Sequence, residues 1–423
     1  MFSSININNW RQFDKVSIDF DNRMTILTGA NGSGKTTILN ILGGLFGWTA
    51  DIASTPRLSE EKGIFYDTDY HLDIEDFDLP KNEKFLVSSK TSCLIGEIKF
   101  DDDTVCRISV PKKAGTTYQV QFEGKKNQKG ILISSHRNLF HYQDVKNIPT
   151  KAIKRGEALD LYSDYIRKKY YEAYMGDDSG ATRQIKKTLI SWAVYGYGNK
   201  AVKPDQTAKN LFEGFQMVLS KLLPPKLGFE KIEIDSPEVV LKTKTGDFSL
   251  DAVSGGIAAL IEIGWQIYMC GKQEESFTVI FDEPENHLHP ELQRRLMPSL
   301  LEAFPKVQFV VATHNPFVIG SIENSNVYVL NYNEKNKIES FCLDSANKAG
   351  TANEILRDIL GIPVTFGSWV EIKLNSIIDK YSKTPITEGT IKRLKDELRV
   401  LGMDTFIPDS IVRVFENIKD DIQ

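Results

Sequence analysis

The chain has 423 residues, of which 41% are hydrophobic and 26% charged, with 29 Gly and 16 Pro. That balance excludes collagen-like, low-complexity and wholly disordered chains, and the length allows two or three lobes or one large domain carrying an insertion. A net charge of −5 argues against a basic coat for nucleic acid, and the four scattered cysteines (Cys93, Cys106, Cys270, Cys342) form no CxxC pair, so neither a disulfide framework nor a structural zinc is expected and a reducing cytosol fits best.

The N-terminus lacks a basic region followed by an apolar run, so no targeting segment is expected. No uncharged apolar stretch reaches the roughly 18 to 20 residues of a membrane helix. The nearest, Ala258 to Met269, contains Glu262. In chain order, alternation predicts strands at Ser3 to Asn8, Val16 to Phe20 and Met24 to Leu27, then a glycine-rich turn and a helix over Thr37 to Leu45. The acid-rich stretch 51–103 reads as a hairpin-rich lobe ending near a strand at Val105 to Val110. Gly130 to Ser134 reads as a buried strand leading into a polar-aromatic loop. Helical spacing over 151–223, closed by Pro224 and Pro225, predicts an inserted helical lobe. Its tyrosines (Tyr162, Tyr165, Tyr170, Tyr171, Tyr174) would either face the lobe's interior or stack on bases beside Arg167, Lys168 and Lys169. Strands at Lys231 to Ile234 and Val239 to Thr243, a helix from Gly256 to Met269, a strand at Phe277 to Phe281, a helix at Pro290 to Glu302 and a strand at Gln308 to Ala312 follow. That alternation predicts an α/β fold with a parallel sheet covered by helices. The tail from Ile372 to Ile418 reads as helical. The expected organisation is therefore 1–150 and 229–335 as two halves of one α/β domain, 151–228 as the insertion and 336–423 as a helical C-terminal region.

Gly29-Ala30-Asn31-Gly32-Ser33-Gly34-Lys35-Thr36 satisfies GxxxxGK[ST] between a predicted strand and a predicted helix. Glycines let successive N–H groups turn inward onto phosphate oxygens, and the following helix adds the positive end of its dipole. The pattern makes Gly29, Asn31, Gly32, Ser33, Gly34, Lys35, Thr36 and Thr37 the phosphate contacts. Lys35 would meet the β and γ phosphates, and the Thr36 hydroxyl would bind Mg²⁺. A second motif, Thr278-Val279-Ile280-Phe281-Asp282-Glu283-Pro284, ends an apolar strand in two carboxylates: Asp282 for Mg²⁺ and Glu283 to polarise the attacking water. Ser254-Gly255-Gly256 opens a predicted helix as a further anion-binding end, or as a plain cap. His314 closes the strand after the carboxylates, where α/β sheets place ligands.

In this order and spacing the motifs resemble the ABC-type ATPase heads of the SMC, SbcC and RecF class, over roughly residues 1–50, 130–145 and 230–330. The resemblance implies a P-loop NTPase fold of SMC-head type, with an N-terminal mixed β lobe and an inserted helical lobe, ATP and Mg²⁺ as ligands, and ATP sandwiched between two copies so that Ser254, Gly255 and Gly256 complete the site of a second head. It implies Glu283 and His314 as catalytic residues, Arg11 in the segment Asn9-Trp10-Arg11-Gln12-Phe13 as a phosphate contact, and Gln143 as a metal ligand, with Gln119 and Gln121 behind it. The signature reads VSGGI, so its usual final polar residue is absent. Glu285-Asn286-His287-Leu288-His289-Pro290 is similar to the EPExHLHP run of OLD-type and defence-associated ATPases.

No sustained heptad run lies between Lys35 and Ser254, so long coiled-coil arms are excluded. Residues 330–423 contain no DxD run of a TOPRIM domain, so the chain is not expected to be a nuclease itself. It resembles instead the stand-alone ATPases of anti-phage systems such as PARIS and Septu, which implies a homodimer or larger homo-oligomer acting as sensor or scaffold for a separately encoded effector, a nuclease or toxin, with no membrane partner. A RecF-like repair ATPase on duplex DNA is the alternative, and a transporter ATPase subunit the third reading.

Overall fold

The computed structural model describes residues 1–48, 51–59, 63–69, 91–126, 128–135, 143, 145, 147–171, 181–271, 275–343, 354–355, 368–385, 387–401, 403, 407, 410, 411 and 414. It opens with β1 (Phe2–Trp10), β2 (Phe13–Asp19) and β3 (Met24–Gly29), and β3 runs through a loop into α1 (Lys35–Gly44). Strands β4 (Ile52–Ala53), β5 (Thr55–Ser59), β6 (Gly63–Asp67), β7 (Ser92–Phe100), β8 (Val105–Pro111), β9 (Thr117–Tyr118), β10 (Gln121–Glu123) and β11 (Gly130–Ile133) follow. Helices α2 (Arg155–Tyr171), α3 (Ala181–Tyr197) and α4 (Gln206–Leu222) precede β12 (Phe229–Asp235), β13 (Glu238–Thr243) and β14 (Phe248–Ser249). Next come α5 (Gly255–Cys270), β15 (Phe277–Asp282), α6 (Pro290–Ala303), β16 (Val307–Ala312), α7 (Pro316–Ile319), β17 (Asn326–Tyr332) and β18 (Ile338–Cys342).

Eleven of these strands form one sheet in the order β10-β8-β7-β1-β2-β18-β17-β3-β16-β15-β11. Its β11, β15, β16, β3 and β17 pair in parallel. Every residue of β3 and β16 is buried, as expected of central parallel strands covered on both faces. The other half, β1, β2, β7, β8 and β10, is antiparallel. The N-terminal β lobe expected from the sequence is thus a continuation of the same sheet. The joint is β18, antiparallel to β17 and parallel to β2. The first compact unit, Met1–Ile355, includes β18.

One core joins the two halves: Ile5, Trp10, Phe13 and Val16 from the antiparallel side share a cluster with Ile38, Leu39 and Leu42 of α1 and with Ile280 and Val310. Each such side chain, fully buried, is worth about 1.5–3 kcal/mol. Cys93 and Cys106 are buried, and the Cys106 thiol is pushed up to about 11 by burial. In the helical insertion, Asp205 caps α4 by accepting from the Thr207 and Ala208 amides. Trp192 of α3 stacks 5.6 Å from Trp265 of α5, which meets the edge of Phe215 of α4 at 5.1 Å. Tyr162 is buried and donates to Glu262. The side chains of Tyr165, Tyr170, Tyr171 and Tyr174 lie outside the described residues.

The second unit, Leu356–Gln423, contains α8 (Ser368–Ser382) and α9 (Glu388–Val400), which share a core of Leu374, Ile377, Ile378, Leu394 and Leu398. Among the described residues no helix is long and apolar enough to cross a membrane.

A polar residue sits second in the buried strand β16. Gln308 is fully buried, yet its Oε1 accepts from the Phe2 amide and the Thr278 hydroxyl, both at 3.0 Å, and its Nε2 donates to the carbonyls of Phe2 and Asp21 at 2.8 and 3.1 Å. The side-chain amide replaces the ladder where β1 begins. Gln308→Leu, close in volume, leaves those groups buried and unpaired and is expected to lower the unfolding free energy by about 3 kcal/mol in guanidinium titration.

Candidate functional site

Register brings the chemistry together. Asp282 pairs with Ala312, Ala312 with Leu27, and Gly29 with Leu330, so β15, β16, β3 and β17 end side by side at their carboxyl ends. From β3 the loop turns with φ of +133° at Gly29, +81° at Gly32 and +90° at Gly34. A side chain at Gly29 would strike the Leu330 carbonyl, and one at Gly34 the ring of Phe13. Only glycine fits both the conformation and the space. Asn31, Gly32 and Thr36 are exposed at the mouth, Thr37 is half-buried and Ser33 is buried. The Ser33 hydroxyl has no partner among the described residues.

Lys35 is 8% exposed, and its Nζ donates to the loop's own carbonyls, Gly29 O at 2.8 Å and Ala30 O at 3.0 Å. Burial lowers its pKa, against the opposing pull of Glu283 and Asp282. A buried cation whose hydrogen bonds among the described residues go to two neutral carbonyls, in a loop whose Ser33 hydroxyl is buried with no partner among them, fits an anionic ligand. Next to it the Thr36 hydroxyl donates to Asp282 Oδ2 at 3.0 Å. These two hard oxygens are the donor type that Mg²⁺ takes.

Glu283 has φ of +45°, and its amide donates to Ala312 O at 2.8 Å, which ties the end of β15 to β16. Its carboxylate lies 2.8 Å from His314 Nδ1 through Oε1 and accepts from Asn286 Nδ2 at 3.2 Å through Oε2. His314 is 55% exposed and Glu283 26%, so the pair faces solvent. Behind it Glu285, 4% exposed, accepts from the Thr313 hydroxyl, while its Oε2 is buried with no partner among the described residues. Burial, more than the opposing Thr313 hydrogen bond, raises the Glu285 pKa.

Ser254 is the N-cap residue of α5, exposed, and its side chain caps nothing. Gly255 is exposed too, and a Cβ at Gly256 would stand 3.6 Å from the His287 carbonyl oxygen, so this turn packs on the segment after Glu283. No hydrogen bond among the described residues links Ser254, Gly255 or Gly256 to the loop 29–37.

Two further sequence-derived candidates have contacts of their own. The Arg11 guanidinium carbon lies 5.9 Å from the centroid of the Trp10 ring, and the Arg11 amide donates to Asp69 O at 2.7 Å. It is the neighbouring Gln12 whose Nε2 stands against the loop, 2.9 Å from where a Gly34 Cβ would lie. Gln143 is buried, and its Oε1 accepts from the Arg183 amide at 2.9 Å at the start of α3, which places it as a helix partner. Sequence reasoning missed Gln12, Asn286 and Tyr332, whose hydroxyl lies 3.7 Å from where a Gly32 Cβ would be. Asn286 could have been found: an amide three residues after a solvent-facing carboxylate is within reach of it.

A family model described as an AAA domain matches residues 4–218, and a second, described as an AAA domain, putative AbiEii toxin, Type IV TA system, matches residues 247–320. The chain belongs to the AAA-domain family. Its glycine loop between β3 and α1 is a P-loop. Among curated relatives, this AAA-domain chain is 26% identical to the endonuclease GajA of Bacillus cereus over 373 residues, 79% of the chain and 59% of GajA. It is 26% identical to the retron Ec83 probable ATPase of Escherichia coli over 38% of the chain and 29% of that protein. Septu protein PtuA of Bacillus thuringiensis is 22% identical over 34% of the chain and 40% of its own length. The chain spans less than two thirds of the length of each of these relatives.

Glu285 yields a test. Its pKa in the fold lies above the ordinary value of 4.5, so the folded state holds the proton more tightly and stability falls as pH rises from 4.5 through the folded pKa. Thermal melts from acid to neutral pH should show the wild type losing stability relative to Glu285→Gln, and a constant gap between the two would refute the raised pKa.

Proposed function

We propose that this chain is an ATPase that works as an ATP sandwich of two copies, and that its nucleotide-dependent closure controls a separately encoded effector, a nuclease or toxin, in anti-phage defence. In this reading Gly29, Asn31, Gly32, Ser33, Gly34, Lys35, Thr36 and Thr37 of one protomer hold the triphosphate, and Ser254, Gly255 and Gly256 of the second protomer close over it. Lys35 Nζ exchanges the Gly29 and Ala30 carbonyls for phosphate oxygens. Mg²⁺, held by Thr36 and Asp282, neutralises charge on the phosphates when bound. Glu283 takes a proton from the attacking water as the water oxygen bonds to the γ phosphorus and ADP leaves. His314 then has two stations: on Glu283, where the structure places it, and on the γ phosphate, a move that frees Glu283 Oε1 to act as base.

One observation supports the sandwich: an exposed N-cap serine with no side-chain cap bond, on a turn that makes no hydrogen bond to its own loop among the described residues. An N-cap hydroxyl normally accepts from its own helix, so a free one is available to an outside anion. The defence role is supported by the Septu and retron relatives and by the EPENHLHP run, Glu283 to Pro290.

The test pairs two inactive proteins. Lys35→Ala and Ser254→Arg should each abolish turnover, yet their mixture should regain part of it, because the mixed dimer keeps one site made of an intact loop and an intact serine. Absence of recovery, with mixed dimers demonstrated, overturns the sandwich. Glu283→Gln should lower kcat by about 10²–10⁴-fold and retain ATP in a closed dimer, detectable by light scattering. Co-purification of neighbour-encoded proteins, against salt-sensitive binding of duplex DNA, separates the effector role from a repair role.

A further inference from the structure

The helical insertion reaches the signature turn through one buried cation. Lys186 of α3 is 0% exposed, and no part of the phosphate site explains it. Its Nζ lies 2.5 Å from Asp251 Oδ2, 2.8 Å from Glu238 Oε2 and 3.1 Å from the carbonyl oxygen of Gln143. Four separate stretches of chain therefore meet at one ammonium: α3, β13, the segment at residue 143 and the one-turn 3₁₀ helix Leu250–Ala252. Gln143 is held to α3 a second time through the Arg183 amide. Asp251 is itself 4% exposed.

What Asp251 anchors is the entry to α5. The 3₁₀ turn that carries it passes through Val253 directly into Ser254. The turn's other fixed point is Leu250, 1% exposed. Beyond it Ser254 and Gly255 are exposed, so the placement of the serine hydroxyl is set by how this entry is held. A buried ion cluster is a poor way to gain stability, because desolvation offsets most of the attraction. It is a good way to fix geometry: removing either partner leaves an uncompensated charge, so slack at the joint is strongly disfavoured. Contacts to a phosphate lose most of their value when misplaced by about 1 Å.

We propose that Lys186 is a positioning residue for the signature turn: by gripping Asp251 from α3, it lets the helical insertion set where Ser254 stands when it meets the nucleotide held by a second copy of the chain. This rests on the sandwich reading above. A displacement of α3, such as a protein bound to the insertion would impose, is carried to the entry of α5 by the Lys186–Asp251 pair, without passing through the Lys35 loop.

The test uses the full chain with three readouts: binding of a fluorescent ATP analogue by dilute monomer, ATP-dependent association by sedimentation in the Glu283→Gln background, and steady-state kcat. Lys186→Met should weaken association and lower kcat, each by about tenfold or more, with analogue binding changed by no more than about twofold. Asp251→Asn, which keeps an oxygen facing Nζ and serves if Lys186→Met does not fold, should show the same split. The double variant should fall no further than the worse single one, as for two members of one unit. Unchanged association and kcat in the folded variants, or analogue binding that falls in step with kcat, or additive losses in the double variant, overturn the proposal alone. A wild-type chain that stays monomeric with ATP overturns the sandwich and this proposal with it.

Discussion

Parallel pairing sets Asp282 opposite Ala312 and Ala312 opposite Leu27, and from those pairs the site follows. Slipping β15 by one residue would turn Asp282 to the opposite face and bury its charge. The register is held by apolar burial along β3, β15 and β16 rather than by the functional groups themselves. Chemistry is therefore confined to the last residue of each strand and the turn after it. Everything upstream can be optimised for packing, which is why the same strands are mostly apolar, with Thr25, Thr28, Thr278 and Gln308 the buried polar exceptions.

Strain collects where those runs stop. Glu283 and His287 hold φ of +45° and +68°, and Asn9 and Arg11 hold +48° and +54° around the β1–β2 turn that leans on Gly34. Non-glycine residues in this region carry about 1–3 kcal/mol each and persist only when neighbours over-determine them. Here the neighbours are identifiable. The Glu283 amide is held by Ala312 O, and Arg11 is fixed on both sides, its amide on Asp69 O and its carbonyl on Lys337 Nζ at 2.7 Å. Held this way, the Glu283 side chain points away from the strand axis toward His314 and Asn286, where an extended backbone would continue the alternation.

The halves of the fold were legible to different degrees. Six strictly local signals, the glycine loop, the apolar strand ending in Asp282 and Glu283, the SGG turn, His314, and the helices from Gly255 and Pro290, come from residues whose partners are close in sequence or whose type is dictated by backbone geometry. The continuity of the sheet was not legible, because it depends on β18 pairing with β2, a contact across more than three hundred residues. A hairpin reading of Asn326 to Cys342 was available from the alternation in NVYVLNY and IESFC around a polar turn. Even so, alternation cannot say which edge such a hairpin will extend. For Gln143 and Arg11 motif position says only where each residue lies along the chain, whereas the groups they meet here are supplied by α3 in one case and by Trp10 in the other.

Gln308 makes four hydrogen bonds, and Lys186 has two carboxylates and a carbonyl. Buried side-chain atoms without a partner among the described residues are not confined to the strand ends: Thr28 Oγ1, Ser33 Oγ and Glu285 Oε2 lie there, whereas Ser54 Oγ and Trp265 Nε1 lie elsewhere in the fold. An unsatisfied buried group costs about 1–3 kcal/mol wherever it stands. What distinguishes Ser33 is its neighbour: its hydroxyl belongs to the glycine loop two residues before the Lys35 ammonium, so a phosphate held by that loop would meet the cation and offset the cost of the hydroxyl together.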